Sequence, residues 1–202
     1  MDSAAAIAEA LQLACTDIGL ERPSDERARH IIGLGLKDAL HYLVPELAQD
    51  DYGTLVERYR FHFLARDGTT TLFPGIAAGL KELESNGHLL AIATGKSRRG
   101  LERALDQTGV RDRFAASRCA DEGFSKPHPG MLQALMDELS VPAEATLMIG
   151  DTTHDLQMAV SADVRSVAVS YGAHPRSALI ALCPEACVGS TEDLFQWLSA
   201  NA

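Results

Sequence analysis

Long apolar runs and positive charge are both scarce in this sequence of 202 residues. No apolar run approaches the ~20 residues needed to cross a bilayer, and the opening residues Met1–Ala6 lack the basic region of a signal peptide. We therefore expect a cytoplasmic protein with no membrane partner. The net charge of −10 repels phosphate backbones and argues against a nucleic-acid partner, whereas a bound cation could still attract a small anionic substrate.

Cysteine is also scarce, and no CxxC pair occurs. The four cysteines are Cys15, Cys119, Cys183 and Cys187. Their scattered spacing favours reduced thiols in a cytosolic protein, and the alternative is a disulfide or half of a metal site at Cys183 and Cys187. Because 46% of the residues are hydrophobic, the chain can bury one sizeable core, or one core domain with a small appended subdomain.

Strand patterns are missing from the first third of the chain. Apolar residues recur there at helical spacing, in stripes formed by Ala6, Ile7, Ala10, Leu11 and Ala14, by Ile31, Ile32, Leu36, Leu40 and Leu43, and by Leu55, Val56 and Tyr59. Pro23-Ser24 marks the start of a helix, and Pro45 ends or kinks one. The pattern predicts a small helical bundle, which we assign to residues 1–70.

Short apolar runs alternate with amphipathic helical patterns in residues 71–202, after a boundary at Phe73-Pro74-Gly75. The predicted strands are His88–Thr94, Phe114–Cys119, Thr146–Gly150 and Ser166–Ser170. The predicted helices are Gly75–Asn86, Arg98–Thr108, Met131–Leu139 and Asp155–Ala162. This alternation indicates an α/β domain with a doubly wound parallel sheet. Ligands bind such sheets at the carboxyl ends of the strands.

Thr94 and Gly95 follow the first predicted strand. The hydroxyl of Thr94 and the amide of Gly95 could hold phosphate oxygens, and the helix start that follows adds partial positive charge. In the alternative interpretation, Thr94 or Ser97 only caps the helix that begins at Arg98. The segment by itself does not separate these two interpretations.

Lys126 lies in a loop that Pro127 and Pro129 stiffen. A proline after Lys126 favours an extended conformation of the lysine. An ammonium held in this way suits a phosphoryl group or a pair of carboxylates, and a solvated lysine in a turn is the alternative. His128 would point away from Lys126 in an extended loop, so we interpret it as structural rather than as an acid or base.

Asp151 and Asp155 follow the predicted strand that ends at Gly150. Their spacing can place both carboxylates on one helix face, where like charges repel. Lys126 or a hard divalent cation such as Mg²⁺ would relieve this repulsion. Alternatively, both acids only complement the helix dipole. The Gly-Asp at a strand end favours a functional metal site.

These three segments, in their order along the chain and with the predicted strands around them, resemble motifs of the haloacid dehalogenase superfamily. Thr94-Gly95, Lys126-Pro127 and Gly150-Asp151-x-x-x-Asp155 resemble its second, third and fourth motifs. The helical first part resembles the α-helical cap of the phosphoglycolate-phosphatase-like branch. The resemblance implies a core with the fold of that superfamily, Mg²⁺ as cofactor and phosphoryl transfer through an aspartyl-phosphate.

The resemblance also implies a role for each matching residue. Thr94 and Gly95 would hold phosphate oxygens, and Lys126 would be a catalytic residue that offsets charge on the phosphoryl group and the nucleophile. Asp151 and Asp155 would form the metal site: Asp151 would ligate Mg²⁺, and Asp155 would hold Lys126 or a metal-bound water.

The family's first motif, Asp-x-Asp-Gly-Thr at the end of the central strand, is not found in this sequence. In this branch the motif continues as Leu-x-Asp-Ser, and the chain begins Met1-Asp2-Ser3. We therefore expect the nucleophile and the central strand to lie upstream, because of a misassigned start codon or a shortened chain. The sheet should then show a gap, a substitute segment or an alteration. Asp67-Gly68-Thr69 follows no buried strand and lacks the paired acid, so we interpret it as a linker turn.

Three functional hypotheses follow. The first is a Mg²⁺-dependent phosphatase of a small phosphorylated metabolite such as phosphoglycolate, with negligible turnover in this chain, as a monomer or homodimer. The second is a non-catalytic regulatory protein that keeps the phosphate and metal pockets. The third, a haloacid dehalogenase, is disfavoured because dehalogenation needs no metal. The cap segment Gly33–Leu36 is either a specificity loop or a flexible helix break.

Overall fold

Helices alone form the first part of the chain, as the apolar spacing predicts. The computed structural model describes residues 1–67 and 70–201. Its first helices are α1 (Ala4–Asp17), α2 (Asp25–His30), α3 (Leu36–Leu43) and α4 (Asp51–Asp67). Ser24 caps α2 by accepting a hydrogen bond from the Arg27 amide at 3.2 Å, and α3 ends before Pro45, as predicted. No helix of the described chain is long and apolar enough to span a membrane.

The second apolar stripe is divided between a turn, which holds Ile31 and Ile32, and α3, which holds Leu36, Leu40 and Leu43. Residues 31–35 form a turn between α2 and α3, in which Gly33 has a φ of +100°, a left-handed conformation that favours glycine. Apolar side chains from both sides of the turn still enter one core. Its buried members are Leu11, Ala14, Cys15, Ile31, Ala39, Leu40, Leu43, Tyr52 and Leu55.

Every strand of the described chain lies after residue 90. The strands are β1 (Ala91–Thr94), β2 (Ala116–Cys119), β3 (Leu147–Gly150), β4 (Arg165–Val169) and β5 (Ala186–Val188). The accompanying helices are α5 (Ile76–Ser85), α6 (Arg98–Thr108), α7 (Gly130–Leu139), α8 (Thr153–Ser161), α9 (Arg176–Ile180) and α10 (Thr191–Asn201). The first four strands match the predicted ones. β5 was not predicted from the sequence, because a run of three residues is too short for its periodicity to be recognised.

The strands form two parallel sheets rather than one continuous sheet. β1 pairs with β2, and β4 pairs with both β3 and β5. Within the described residues, no further strand pairs with β1 or with β3. Ile149 of β3 is 37% exposed and Leu89, just before β1, is 59% exposed, although strands of parallel sheets are normally covered on both faces. This interruption agrees with the expected gap in the sheet.

The hydrophobic clusters divide along the chain in the same way as the secondary structure. The cluster of α1, α3 and α4 draws its side chains from residues 7–59, and four other clusters draw theirs from residues 72–198. We refer to the first unit as the cap and to the second as the core. Residues 68 and 69 lie outside the described residues, so the assigned boundary at residue 70 stays a prediction.

Candidate active site

A buried ion pair joins two of the residues that the sequence motifs indicate. Lys126 Nζ lies 2.6 Å from Asp155 Oδ1, and the two residues are 6% and 3% exposed. Lys126 comes from the loop before α7, whereas Asp155 belongs to the first turn of α8. We call these two residues the buried pair. The alternative of a solvated lysine in a turn is therefore wrong.

Thr152 holds the second carboxylate oxygen of Asp155. Its amide and hydroxyl donate to Asp155 Oδ2 at 3.1 and 2.8 Å, and the Asp155 amide donates to the Thr152 hydroxyl at 3.2 Å. This capping box begins α8. Burial alone would raise the pKa of Asp155, but Lys126 and the hydrogen bonds from Lys126 and Thr152 together lower it. Asp155 is therefore held as a carboxylate.

Asp151 follows β3 and has different surroundings. The Ala173 amide donates to its Oδ2 at 2.9 Å, and the His174 amide donates to its carbonyl at 3.1 Å. Burial and then the nearby Asp155 carboxylate raise the pKa of Asp151, while the Ala173 amide and Lys126 act in the opposite direction. A cation bound at Asp151 would relieve this repulsion.

Thr94 and Gly95 lie at the carboxyl end of β1. The Lys96 amide donates to the Thr94 hydroxyl at 3.2 Å. Ser97 caps α6, because its hydroxyl accepts a hydrogen bond from the Gly100 amide at 3.3 Å. The capping role thus falls to Ser97, and the phosphate-holding role of Thr94 and Gly95 stays a prediction.

The cap reaches the core at Gly33. A Cβ atom on Gly33 would lie 2.9 Å from Thr152 Oγ1, and one on Gly95 would lie 2.5 Å from the Gly33 carbonyl oxygen. The cap backbone thus approaches the core so closely that both positions have room for glycine alone. Through Gly33, the structure brings the segment after β1 together with Thr152 and the buried pair.

The metal role predicted for Asp151 and Asp155 rests on carboxylate chemistry alone. Among the described residues, no group of three or more His, Cys, Asp or Glu side chains could hold a metal ion. Asp155 uses one oxygen for Lys126 and the other for Thr152. Of the two functions that the resemblance implies for Asp155, the structure shows the contact with Lys126. Metal ligation by Asp151 and Asp155 stays a prediction.

Two hydrogen bonds between the cap and the core were not predicted from the sequence. His154 Nε2 lies 2.8 Å from the His30 carbonyl oxygen, and the Ser125 hydroxyl donates to the Asp38 carboxylate. His154 stands between motif residues, yet no residue pattern identifies a histidine there as a cap contact. Only the tertiary packing of the cap on the core brings these partners together.

Other candidates from the sequence lie apart from the buried pair. His128 Nδ1 accepts a hydrogen bond from the Gly130 amide at 3.1 Å, and its ring stacks on Phe124 with centroids 4.2 Å apart. These contacts agree with the structural interpretation of His128. All four cysteines are free thiols. Asp67 ends α4, and Gly68 and Thr69 of the interpreted linker turn lie outside the described residues.

The whole chain is similar in sequence and in structure to known hydrolases and phosphatases. A family model described as haloacid dehalogenase-like hydrolase matches residues 1–169. A probable phosphatase, IndB, of Dickeya dadantii is 30% identical over 199 residues, which cover 96% of this chain and 86% of the relative. A phosphoglycolate phosphatase of Agrobacterium fabrum is 28% identical over 178 residues, covering 85% and 76%. The crystal structure of a hydrolase from Pseudomonas syringae has a TM-score of 0.91 at 19% identity, covering 100% and 94%, and shows the same fold.

Proposed function

Because the chain belongs to the haloacid dehalogenase-like hydrolase family, we propose that its site serves the hydrolysis of a small phosphorylated metabolite. One relative is named a phosphoglycolate phosphatase, so phosphoglycolate is the first substrate to test. The observation that carries the proposal is the buried pair, in which Lys126 Nζ lies 2.6 Å from Asp155. The charge of Lys126 also acts on Asp151, because it lowers the pKa of that carboxyl. A fixed cation beside carboxylates suits a phosphoryl group that binds with a metal ion.

The chain's own residues would act by placement and charge neutralisation. Lys126, oriented by Asp155, would offset charge on the phosphoryl oxygens. The Thr94 hydroxyl and the Gly95 amide would hold those oxygens at the carboxyl end of β1. Preorganised donors of this kind are usually the largest contribution to such catalysis. The cap turn at Gly33, which packs on Gly95, would exclude water from the site.

Mg²⁺ suits the residues that the site offers. Asp151 supplies a carboxylate whose pKa is raised by burial and by the Asp155 charge, and a hard cation would offset that charge. Mg²⁺ is commonly bound by one or two carboxylates while it keeps several waters. When bound, it would supply positive charge to the phosphoryl group. Asp151 would be its direct ligand, and Asp155 would act through Lys126 or a metal-bound water.

We further propose that the attacking carboxylate is not one of those observed at this site. Asp155 has both oxygens engaged, by Lys126 and by Thr152. Asp151 accepts a hydrogen bond from the Ala173 amide and is the residue assigned to the cation. Covalent phosphoryl transfer needs an activated nucleophile in line with the phosphorus atom. The 202-residue chain should therefore bind phosphate without turnover, and the same behaviour would characterise a regulatory protein.

A phosphatase assay separates these possibilities. The 202-residue chain and a form extended upstream by a strand ending in Asp-x-Asp-Gly-Thr are assayed on p-nitrophenyl phosphate and phosphoglycolate, with and without Mg²⁺. We expect negligible turnover by the chain and Mg²⁺-dependent turnover by the extended form. Equal Mg²⁺-dependent rates would contradict the proposal about the nucleophile. An absence of turnover in both forms would favour a regulatory protein.

A further inference from the structure

The cap is bonded to the core next to each member of the buried pair. His154, one residue before Asp155, donates from Nε2 to the His30 carbonyl at 2.8 Å. Ser125, one residue before the lysine of the pair, donates its hydroxyl hydrogen to the Asp38 carboxylate. His30 and Asp38 both belong to the cap. His154 and Ser125 are therefore each joined by a peptide bond to one member of the buried pair and by a hydrogen bond to the cap.

Three histidine rings meet where the cap and the core join. His30 ends α2 of the cap, while His154 and His174 belong to the core. The ring centroids of His154 and His174 lie 5.7 and 5.6 Å from that of His30, and 5.3 Å from each other. His154 is 8% exposed and His174 is 4% exposed. The polar ring atoms of these two core histidines need partners within the protein, because little water reaches them, whereas His30 is exposed.

Hydrogen bonding fixes the proton of His174 on one nitrogen. The Thr153 amide donates to His174 Nδ1 at 3.0 Å, so the proton of the neutral ring lies on Nε2. Burial, and then the nearby His154 and His30, lower the pKa of His174 to about 4. His174 Nε2 is buried and has no hydrogen-bond partner among the described residues. The rings of both core histidines lie against His30, the last residue of α2, and His154 makes the direct hydrogen bond to it.

The first turn of α8 connects the cap contact to the buried pair. His154 and Asp155 are consecutive residues of this turn, and the Thr152 capping box fixes its start. A backbone shift at His154 therefore also moves Asp155, which holds Lys126 at 2.6 Å. On the other side of the pair, Ser125 shares a peptide bond with Lys126. Each cap contact is thus one covalent step from a member of the pair.

We propose that His154 and Ser125 are positioning residues that couple the seating of the cap on the core to the placement of the buried pair. While the cap is seated, the bonds to His30 and Asp38 support both members of the pair. When the cap lifts, both supports are lost together. This inference rests on the proposed function, because the placement of the pair affects catalysis only if a phosphoryl group binds beside it.

Hydrogen exchange measured on the 202-residue chain tests this coupling. His154→Phe keeps an aromatic ring and removes the N–H donor, whereas His154→Gln restores a donor without the ring. We expect His154→Phe to speed amide exchange roughly fivefold or more, the effect of one lost part-buried hydrogen bond, in cap residues 31–38 and in core residues 125–130. His154→Gln should restore part of the protection. His41→Phe is the matched control, because the His41 ring bonds to the Lys37 carbonyl and stacks on Tyr52, and both of these partners lie within the cap.

Ser125→Ala tests the coupling from the opposite side and remains informative if His154→Phe fails to fold. Loss of the bond to Asp38 should speed exchange in the first turn of α8, at residues 153–156. Faster exchange confined to the cap, or equal changes in His154→Phe and His41→Phe, would overturn the coupling. A parallel titration of the wild type with inorganic phosphate and Mg²⁺ tests the proposed function separately. No binding there would contradict that function, while the exchange results would still decide the coupling.

Discussion

Lys126 and Asp155 are charged residues that tolerate burial because each is the partner of the other. Removing a charge from water costs several kcal/mol, and only good geometry with further hydrogen bonds offsets that cost. The pair meets this condition, with a contact of 2.6 Å and two hydrogen bonds from Thr152 to the carboxylate. A buried ion pair is weak evidence for a role in stability. We therefore interpret the buried pair as the arrangement that holds the Lys126 ammonium at the proposed phosphoryl site.

Substitution of Lys126 by methionine tests this dependence. Lys126→Met leaves the Asp155 carboxylate buried without its partner and should lower the free energy of unfolding by about 3–5 kcal/mol. Lys81→Met, on the exposed surface of α5, is the matched control and should leave it almost unchanged. Urea denaturation at pH 7 measures both variants. Equal stabilities of the two variants would mean that the pair is more solvated than the structure indicates.

The four thiols should differ in reactivity. Burial raises the pKa of Cys119 to about 11, so only roughly 0.1% of it is thiolate at pH 8, and the thiolate is the reactive form. Cys183 is exposed and should be labelled by iodoacetamide at pH 8 well before Cys119. Peptide mass spectrometry after timed labelling, with the urea-unfolded protein as control, measures the order. Labelling of Cys119 at the rate of Cys183 would show that its surroundings are open.

Residue types at strand ends made part of the site predictable from the sequence. Thr94, Lys126, Asp151 and Asp155 could be named because parallel strands direct ligands to their carboxyl ends. His154 could not be named as a cap contact, because its partner is a backbone carbonyl far away in the sequence. Because every residue has a backbone carbonyl, the residue types do not show which carbonyl accepts this hydrogen bond. The sequence therefore predicts groups that act through side-chain chemistry and misses contacts that depend on packing.

At the scale of elements, the turn between α2 and α3 determines how closely the cap approaches the core. Gly33 combines a φ of +100° with a close approach to Thr152. The sequence left this segment open as a specificity loop or a helix break. The structure shows a turn packed against the core, and its role in specificity stays a prediction. Apolar spacing alone could not locate the turn, because side chains on both sides of it enter one core.

Substitution of Gly33 by alanine should therefore destabilise the protein. In Gly33→Ala the new Cβ would lie 2.9 Å from Thr152 Oγ1 in a left-handed conformation, which should lower the free energy of unfolding by about 1–3 kcal/mol. Gly53→Ala is the matched control: it lies in α4 with nothing within 4 Å of its Cβ, and should stabilise by up to about 1 kcal/mol. Thermal unfolding of both variants gives the comparison. A neutral Gly33→Ala would show that the cap can shift away without loss.

At the scale of the whole molecule, the described chain combines a helical cap with a core whose strands form two separate sheets. The alternation of strands and helices predicted the α/β class and its parallel pairing, because each pattern depends on local periodicity. The division of the strands into two sheets was expected from the unmatched first motif rather than from any local pattern. The seating of the cap was not predictable, since it depends on contacts between residues distant in sequence, such as Ser125 and Asp38.

Titration with inorganic phosphate tests the central claim, that the buried pair and Asp151 form a site for a phosphoryl group and Mg²⁺. Isothermal calorimetry on the 202-residue chain, with and without Mg²⁺, would compare the wild type with Asp151→Asn and with Asp137→Asn, an exposed control on α7. We predict Mg²⁺-dependent binding that Asp151→Asn weakens by about tenfold or more, the loss of one charge-assisted contact, and that Asp137→Asn leaves unchanged. Phosphate binding that ignores both Mg²⁺ and Asp151, or no binding at all, would contradict the account.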